Sequence, residues 1–413
     1  MTLKTFSRPL TGAALALATL ALPLAFAETP KSAASAPAPV AEPMKKPVLP
    51  KTTPPAAQQD SRPRIDLVFV LDTTGSMGGL LDGAKQKIFS IASRIAQGKP
   101  TPRVRVGLVA YRDEGDTYVT RRFELTEDLD SVFTELRKLE ADGGGDTPEH
   151  VGRGLGEAVS KLSWDERRET MKLLFLVGDA PPAARQDGWD FKTWVKKAAD
   201  KHIVVNTVRC GDDGETETAW KYAAKTTDGR YESLAQSGGM VAVATPYDAE
   251  LAKVNAELAG KVLYAGRREV RAMNAARAEQ MATLAPEAAA ERIQFLKKTR
   301  GASEGGGAAA PAAVSSAPAA VGGAVDLTAR PDALAGVKDD ELPPELRALD
   351  APARQQKVQQ LAEERKALEA RAATLAEQRD SWRAKNVADK DDAFDASVMS
   401  GVKAKAAAFG LKY

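Results

Sequence analysis

The sequence predicts an α/β protein with a doubly wound, mostly parallel central sheet and a helical C-terminal extension. Apolar, β-forming runs alternate with segments of helical periodicity between residues 65 and 209. The first run, 65–72, is apolar on both faces, which is typical of a central strand in a parallel sheet. Polar residues follow the ends of the strands, where open α/β sheets place their ligands.

The N-terminus has the pattern of a secretory signal peptide over residues 1–27. Lys4 and Arg8 precede an apolar run over 12–25, and Ala25-Phe26-Ala27 offers a cleavage site after Ala27. The run is short for a membrane-spanning helix. We therefore expect a periplasmic or secreted protein with no transmembrane segment in the mature chain.

A linker and one large domain are predicted to follow. Residues 28–62 are rich in Pro, Ala, Lys and Ser and offer too little apolar surface to fold. We assign the α/β domain to residues 63–265. Its elements are predicted in the order strand 65–72, helix 77–95, strand 104–111, edge strand 118–125, helices near 128–140 and 148–163, strand 171–178, helix near 190–200 and strand 203–209.

Helical patterns dominate the remainder of the chain. A helix beginning near Asp248 is expected to pack on the domain, and a helical extension covers 266–300. The Gly/Ala/Pro/Ser segment 301–325 is predicted to be a linker open to protease.

Residues 326–413 form a helical, coiled-coil-like region. Two rows of residues recur every seven positions: Leu361, Leu368, Leu375 and Trp382, and Val358, Arg365, Ala372 and Arg379. The second row is only half apolar, which disfavours a strong coiled-coil dimer. A weak coiled coil and an amphipathic helix that docks on a partner are both open alternatives.

The composition excludes some classes of function. The chain has 58 Lys+Arg against 56 Asp+Glu, a net charge of +2, and no basic patch with interleaved aromatics, so we expect no nucleic-acid partner. The single cysteine, Cys210, cannot form an internal disulfide. We interpret it as a partly buried residue at a strand end and not as a nucleophile.

The candidate site begins where the first strand ends. Asp72, Thr74 and Ser76 place one carboxylate and two hydroxyls on a turn that Gly75 makes flexible. This all-oxygen set suits Mg²⁺. An alternative is that Thr74, Ser76 and Asp146 only cap the helices that follow them.

Three segments resemble the metal-ion-dependent adhesion site (MIDAS) of von Willebrand factor type A (VWA) domains. They are Asp72-Thr-Thr74-Gly-Ser76, Gly143-Gly-Gly-Asp146-Thr147-Pro148-Glu149, and the strand Leu173-Leu-Phe-Leu-Val-Gly that ends at Asp179. They stand in the order of that family, and the resemblance covers residues 62–265. It implies a VWA fold, similar to the Rossmann type, in a secreted or periplasmic bacterial protein.

The resemblance also implies how a cation would be held. Asp72, Thr74 and Ser76 would be ligands, and Asp179 would reach the cation through water. In the second segment either Asp146 or Thr147 would complete the site, and the Gly-Gly-Gly-Asp-x-Pro-Glu branch of the family favours Asp146. The expected ion is Mg²⁺, with Mn²⁺ or Ca²⁺ as alternatives.

Three functions are compatible with these residues. The favoured hypothesis is a cell-envelope binding module, not an enzyme, in which the MIDAS cation contacts an acidic group of a partner protein. The alternatives are a structural scaffold that acts through the C-terminal helices and a Mg²⁺-dependent hydrolase that uses Asp72. Against the hydrolase, Ser76 is not in a Gly-x-Ser-x-Gly elbow and no phosphate-binding loop is present.

His150 lies in the second segment and has no serine or cysteine beside it in a triad pattern. We interpret it as a residue behind the ligands or in solvent. The oligomeric state and the identity of the partner do not follow from the sequence.

Overall fold

A six-stranded sheet forms the centre of the protein. The computed structural model describes residues 61–145, 147–185, 187–236, 244–303, 316–386 and 393–413. The strand order is β3-β2-β1-β4-β5-β6, and every neighbouring pair is parallel except β2 with β3, so the predicted fold class is confirmed. The strands are β1 (Arg64–Asp72), β2 (Arg103–Tyr111), β3 (Thr120–Thr126), β4 (Thr170–Gly178), β5 (Val204–Cys210) and β6 (Tyr231–Leu234).

Helices cover both faces of this sheet, and a two-stranded sheet lies outside it. The helices are α1 (Gly78–Ile95), α2 (Leu129–Arg137), α3 (Val151–Lys161), α4 (Phe191–Asp200), α5 (Gly214–Thr226), α6 (Asp248–Ala259), α7 (Arg268–Ala282), α8 (Pro286–Ser303), α9 (Pro344–Arg347), α10 (Ala351–Asn386) and α11 (Ala393–Ala406). The small sheet pairs β7 (Tyr264–Ala265) with β8 (Val325–Asp326) in antiparallel fashion.

Side chains of β1 alternate between two apolar cores. Ile65, Leu67, Phe69 and Leu71 point into the core on one side, hereafter face one. Val68 and Val70 point into the core on the other side, face two. Because β1 is buried on both faces, its sequence is a continuous apolar run, as expected for a central parallel strand.

The two faces recruit helices from different parts of the chain. Face two is packed by α3, α4 and α5, which lie between the strands in sequence. Face one is packed by α1 and α2 and also by residues of α8 and α11. The apolar side chains that α11 contributes are Phe394, Val398, Met399, Val402 and Ala406.

Buried ion pairs join the C-terminal helices to the domain. Arg292 of α8 donates two hydrogen bonds to Asp130 of α2, at 2.7 and 2.6 Å, and a third to Asn255 of α6 at 2.8 Å. Arg379 of α10 bonds Asp248 at 2.7 Å and Glu291 at 2.9 Å. The described residues from position 61 onward therefore belong to one compact unit.

Helix α10 uses one heptad row of the sequence as its buried face. Val358, Arg365, Ala372 and Arg379 are buried, whereas the Leu361, Leu368, Leu375 and Trp382 row is half-buried. The helix packs on α6 and α8 of its own chain. Its most buried row is thus directed to the same molecule.

The predicted linker 301–325 is described at its two ends. Helix α8 continues to Ser303, and 304–315 lie outside the described residues, so a protease-open hinge stays a prediction there. After residue 315 the backbone forms hydrogen bonds with side chains of α7 and α8. Ser316 O accepts from Arg292 at 2.8 Å, and Val321 N donates to Asn274 Oδ1 at 2.9 Å.

The predictions for the N-terminus mostly concern residues that the structure does not describe. The signal peptide and nearly all of the 28–62 linker lie outside the described residues. Among the helices that the structure does describe, none combines the length and the apolarity needed to cross a bilayer.

Candidate metal centre

Asp72, Thr74, Ser76 and Asp179 of the predicted site lie at the carboxyl edge of the central sheet. Strand β1 ends on Asp72, and Asp179 follows the last residue of the neighbouring strand β4. The loop after α2 approaches the same edge, because Gly75 N donates to Gly143 O at 3.2 Å and Asp142 N donates to Thr73 O at 3.2 Å. The parallel arrangement therefore brings all three MIDAS-like segments together, as the strand ends predicted.

Asp72, Thr74 and Ser76 form a close group of oxygen atoms. The Thr74 backbone N–H and Oγ1 both donate to Asp72 Oδ1, at 2.9 and 2.7 Å. Thr74 Oγ1 lies 3.3 Å from Ser76 Oγ. Thr74 precedes a short 3₁₀ helix (Gly75–Met77), yet its side chain makes no capping hydrogen bond. The capping alternative is therefore wrong for Thr74, whose hydroxyl is directed at the carboxylate.

The second oxygen of Asp72 has no hydrogen-bond partner among the described residues, although it is buried. The pKa of this carboxyl is raised from 3.8 to about 7, chiefly by burial and also by the nearby Asp179, while hydrogen bonding with Thr74 and Tyr111 opposes the shift. An ionised carboxylate with an unsatisfied buried oxygen is costly in a low-dielectric site unless a cation faces it. The donor set present here therefore fits a hard divalent cation.

Asp179 lies beside this group and is half-buried. Gln236 Nε2 donates to Asp179 Oδ2 at 2.5 Å and to the backbone oxygen of Ser76 at 3.3 Å. The amide thus holds one carboxylate oxygen of Asp179 near the first segment, which is compatible with the predicted indirect role of this acid.

The glycine-rich second segment lies directly over the first. Gly144 has φ +74°, and a Cβ at this position would be 2.9 Å from Thr74 Cβ, so only glycine permits this approach. Thr147 is exposed in this segment, and Asp146 lies outside the described residues. The choice between Asp146 and Thr147 stays a prediction.

Glu149 is a site residue that the sequence analysis missed. Its side chain is buried, and Oε2 has no hydrogen-bond partner among the described residues. Burial raises its pKa to about 8, with further contributions from Asp72, Asp113, Asp116 and Asp179. Its position in the Gly-Gly-Gly-Asp-Thr-Pro-Glu segment was the available signal.

The structure also shows the surroundings of Cys210 and His150. Cys210 is fully buried at the end of β5, and burial raises the pKa of its thiol to about 12, which agrees with an unreactive residue. His150 is 1% exposed, so the solvent alternative is wrong for it. Its Nε2 lies 2.8 Å from Asp187 Oδ2 in the loop after β4.

The sequence of this chain is similar to a known family of domains. Residues 66–246 match the family model of the von Willebrand factor A domain. The chain is 41% identical over 90 residues to von Willebrand factor A domain-containing protein 7 of Rattus norvegicus and 39% identical over 90 residues to that of Homo sapiens. Each alignment covers 22% of this chain and 10% of the relative.

The crystal structure of the SpRpn10 VWA domain is similar at 13% identity, with a TM-score of 0.34, over 43% of this chain and 90% of that one. The chain spans between 10% and 12% of the length of the curated relatives it matches. The family match and the sheet topology together support a von Willebrand factor A domain over residues 66–246.

Proposed function

We propose that this protein is a metal-dependent protein-binding module of the cell envelope. The observation that carries the proposal is the buried Asp72 carboxylate, which presents an unpartnered oxygen beside two hydroxyls at the edge of a VWA-type sheet. The match to the VWA family supports a binding role. The envelope location rests on the signal-peptide pattern at residues 1–27.

Each residue has a defined part in this proposal. Asp72, Thr74 and Ser76 hold the cation directly, Asp179 holds it through water, and Asp146 or Thr147 completes the site. A bound Mg²⁺, with Mn²⁺ or Ca²⁺ as alternatives, supplies a positive coordination position that accepts a carboxylate of the partner protein. The protein is proposed to bind and not to catalyse.

The scaffold alternative receives less support. In that hypothesis the C-terminal helices associate with a partner through their apolar rows. The most buried row of α10 instead packs within the same chain, where Ala372 lies in a core with α6 and α8 and Val358 in a core with Leu263, Leu327 and Leu342. That row is therefore covered by the chain itself and is not available to a partner.

Site-directed photo-crosslinking in cells tests the proposal. A photoreactive residue replaces Gly145, where a side chain would meet open space beside the site. The matched control replaces Glu166, an exposed residue at the opposite edge of the sheet. We expect one dominant protein adduct from position 145, lost with EDTA and in the Asp72→Ala variant, and no such adduct from position 166.

The decisive comparison is metal dependence at position 145. An adduct that persists in EDTA and in Asp72→Ala would show that the edge binds a partner without the cation. An adduct from position 166 alone would place the binding surface elsewhere on the domain.

A further inference from the structure

A second cluster of metal-ligating side chains lies next to the proposed MIDAS. Glu114 comes from the loop after β2, His150 from the residue before α3, and Asp187 from the loop after β4. Their ligand atoms all lie within 4.8 Å of one another. None of these residues belongs to the MIDAS-like set, so the cluster is a separate feature of this edge.

His150 points into this cluster from the protein interior. Its Nε2 is 2.8 Å from Asp187 Oδ2 and 3.8 Å from Glu114 Oε1. Nε2 is buried and makes no regular hydrogen bond among the described residues, and the carboxylate oxygen of Asp187 is its nearest ion-pair contact. A buried imidazole nitrogen without a regular hydrogen bond has a lone pair that a metal ion can bind.

Both carboxylates are oriented toward His150 by groups outside the cluster. The backbone N–H of Trp189 donates to Asp187 Oδ1 at 2.9 Å, which leaves Oδ2 facing the imidazole. Arg185 donates to Glu114 Oε2 at 2.8 Å, which leaves Oε1 facing the imidazole. Outer contacts of this kind fix ligand orientation in metal sites.

The backbone holds the loops of His150 and Asp187 together. Glu149 N donates to Pro181 O at 3.1 Å, and Ala183 N donates to Glu149 O at 2.8 Å. The residue before His150 is thus bridged to the loop that carries Asp187. The cluster therefore rests on paired backbone as well as on side-chain contacts.

We propose that Glu114, His150 and Asp187 form a second cation site, selective for Zn²⁺. An imidazole with two carboxylates is a borderline-soft set that suits Zn²⁺ better than Mg²⁺. Ligands about 2.0–2.2 Å from zinc in a tetrahedron lie roughly 3.3–3.6 Å from one another. The two distances from His150 Nε2 fall on either side of that value. Three protein ligands leave the fourth position open to water or to a partner's group.

Zinc titration of the full chain tests this site. Saturating Mg²⁺ is present to occupy the MIDAS, and ZnCl₂ is added while binding is followed by calorimetry. We expect one Zn²⁺ per chain. His150→Asn should weaken its affinity at least about 100-fold, because a ligand is lost and not only its outer support.

The chain offers a matched control in its other histidine. His202 is exposed in a turn at φ 56°, a conformation that Asn tolerates, so His202→Asn should leave Zn²⁺ binding unchanged. Asp187→Asn, at a more exposed loop position, provides a second test if His150→Asn fails to fold. Circular dichroism of each variant separates lost binding from lost structure.

The outcome also distinguishes this site from the MIDAS. Asp72→Ala should abolish Mg²⁺ binding and keep the Zn²⁺ site. Zinc binding that is lost in Asp72→Ala and kept in His150→Asn would overturn the proposal and place zinc at the MIDAS. No zinc binding by the wild-type chain in Mg²⁺ would also overturn it, and the MIDAS proposal would be unaffected.

Discussion

The two faces of the central sheet are covered in different ways. Face two is packed by α3, α4 and α5, each of which follows or precedes a strand of the same sheet. Face one is packed by α1 and α2, and also by α8 and α11. Helix α11 lies at Ala393–Ala406, more than a hundred residues beyond the last strand of the sheet. One face is thus built from local sequence and the other needs the far end of the chain.

This difference bears on where the domain ends. The family match covers residues 66–246, yet Phe394, Val398 and Val402 are buried in the same core as β1. A fragment that stops near residue 265 would expose the apolar surface that these side chains cover. The carboxyl edge that carries Asp72 and Asp179 belongs to strands that depend on both cores, so its geometry depends on the C-terminal helices too.

Deleting residues 387–413 is expected to have the largest effect on stability. The deletion removes the four large buried apolar side chains of α11 from face one, and each contributes about 1.5–3 kcal/mol. The total is comparable with the whole free energy of unfolding of a typical domain. Thermal unfolding should lose its cooperative transition, whereas Lys403→Ala on the exposed side of α11 should leave it unchanged. A truncated chain with an undiminished transition would mean that face one is complete without α11.

Arg379→Ala should cost about 3–5 kcal/mol in unfolding free energy, because it leaves Asp248 buried without its cation and leaves Glu291 with Arg383 alone. Arg371 lies on the same helix, and its ion pair with Glu250 is exposed. Arg371→Ala should therefore cost less than about 1 kcal/mol. Denaturant titration of the two variants measures the difference. Equal small losses would show that α10 is not a structural part of the unit.

In metal-free buffer the protein should become less stable as pH rises from about 4 to about 8. The folded-state pKa of Asp72 is raised from 3.8 to about 7 and that of Glu149 from 4.5 to about 8, so these two carboxyls bind more protons in the folded state than in the unfolded state in this window. The loss should be on the order of a few kcal/mol. Asp72→Asn should flatten the dependence, and saturating Mg²⁺ should restore stability at pH 8. Stability in EDTA that rises with pH across this window would contradict the assigned burial.

A pair of valines compares the two faces most directly. Val398 of α11 and Val195 of α4 are both 0% exposed, one in the core of each face. Each Val→Ala change should cost about 2 kcal/mol in the same cooperative transition. Denaturant titration with a global probe measures both. If Val398→Ala instead produced a separate early transition, the C-terminal helices would form an independent unit.

Much of the site followed from the sequence because its first segment is local. Asp72, Thr74 and Ser76 share one turn, so their proximity requires only the strand end and the turn. Asp179 required one further step, that neighbouring parallel strands end at the same edge. The proximity of these residues was predictable from chain order and strand polarity.

Other features depended on contacts between distant segments. The buried state of Glu149 arises from the close approach of its loop to Thr74 and to the loop after β4. The burial of α11 arises from an apolar stripe whose target no periodicity identifies. The heptad rows of α10 indicated a buried helix face. They did not indicate that α6, α8 and the segment around β8 of the same chain bury it. Patterns predict which side chains are buried, and not which element buries them.

The central claim is that the carboxyl edge of the sheet holds a divalent cation through Asp72. Calorimetric titration of MgCl₂ into the full chain tests it most directly, with Asp72→Ala as the variant and Asp82→Ala, an exposed acid on α1, as the matched control. We expect one Mg²⁺ per chain in the wild type and in Asp82→Ala, and none in Asp72→Ala with the fold retained. Undiminished binding by a folded Asp72→Ala variant would contradict the claim.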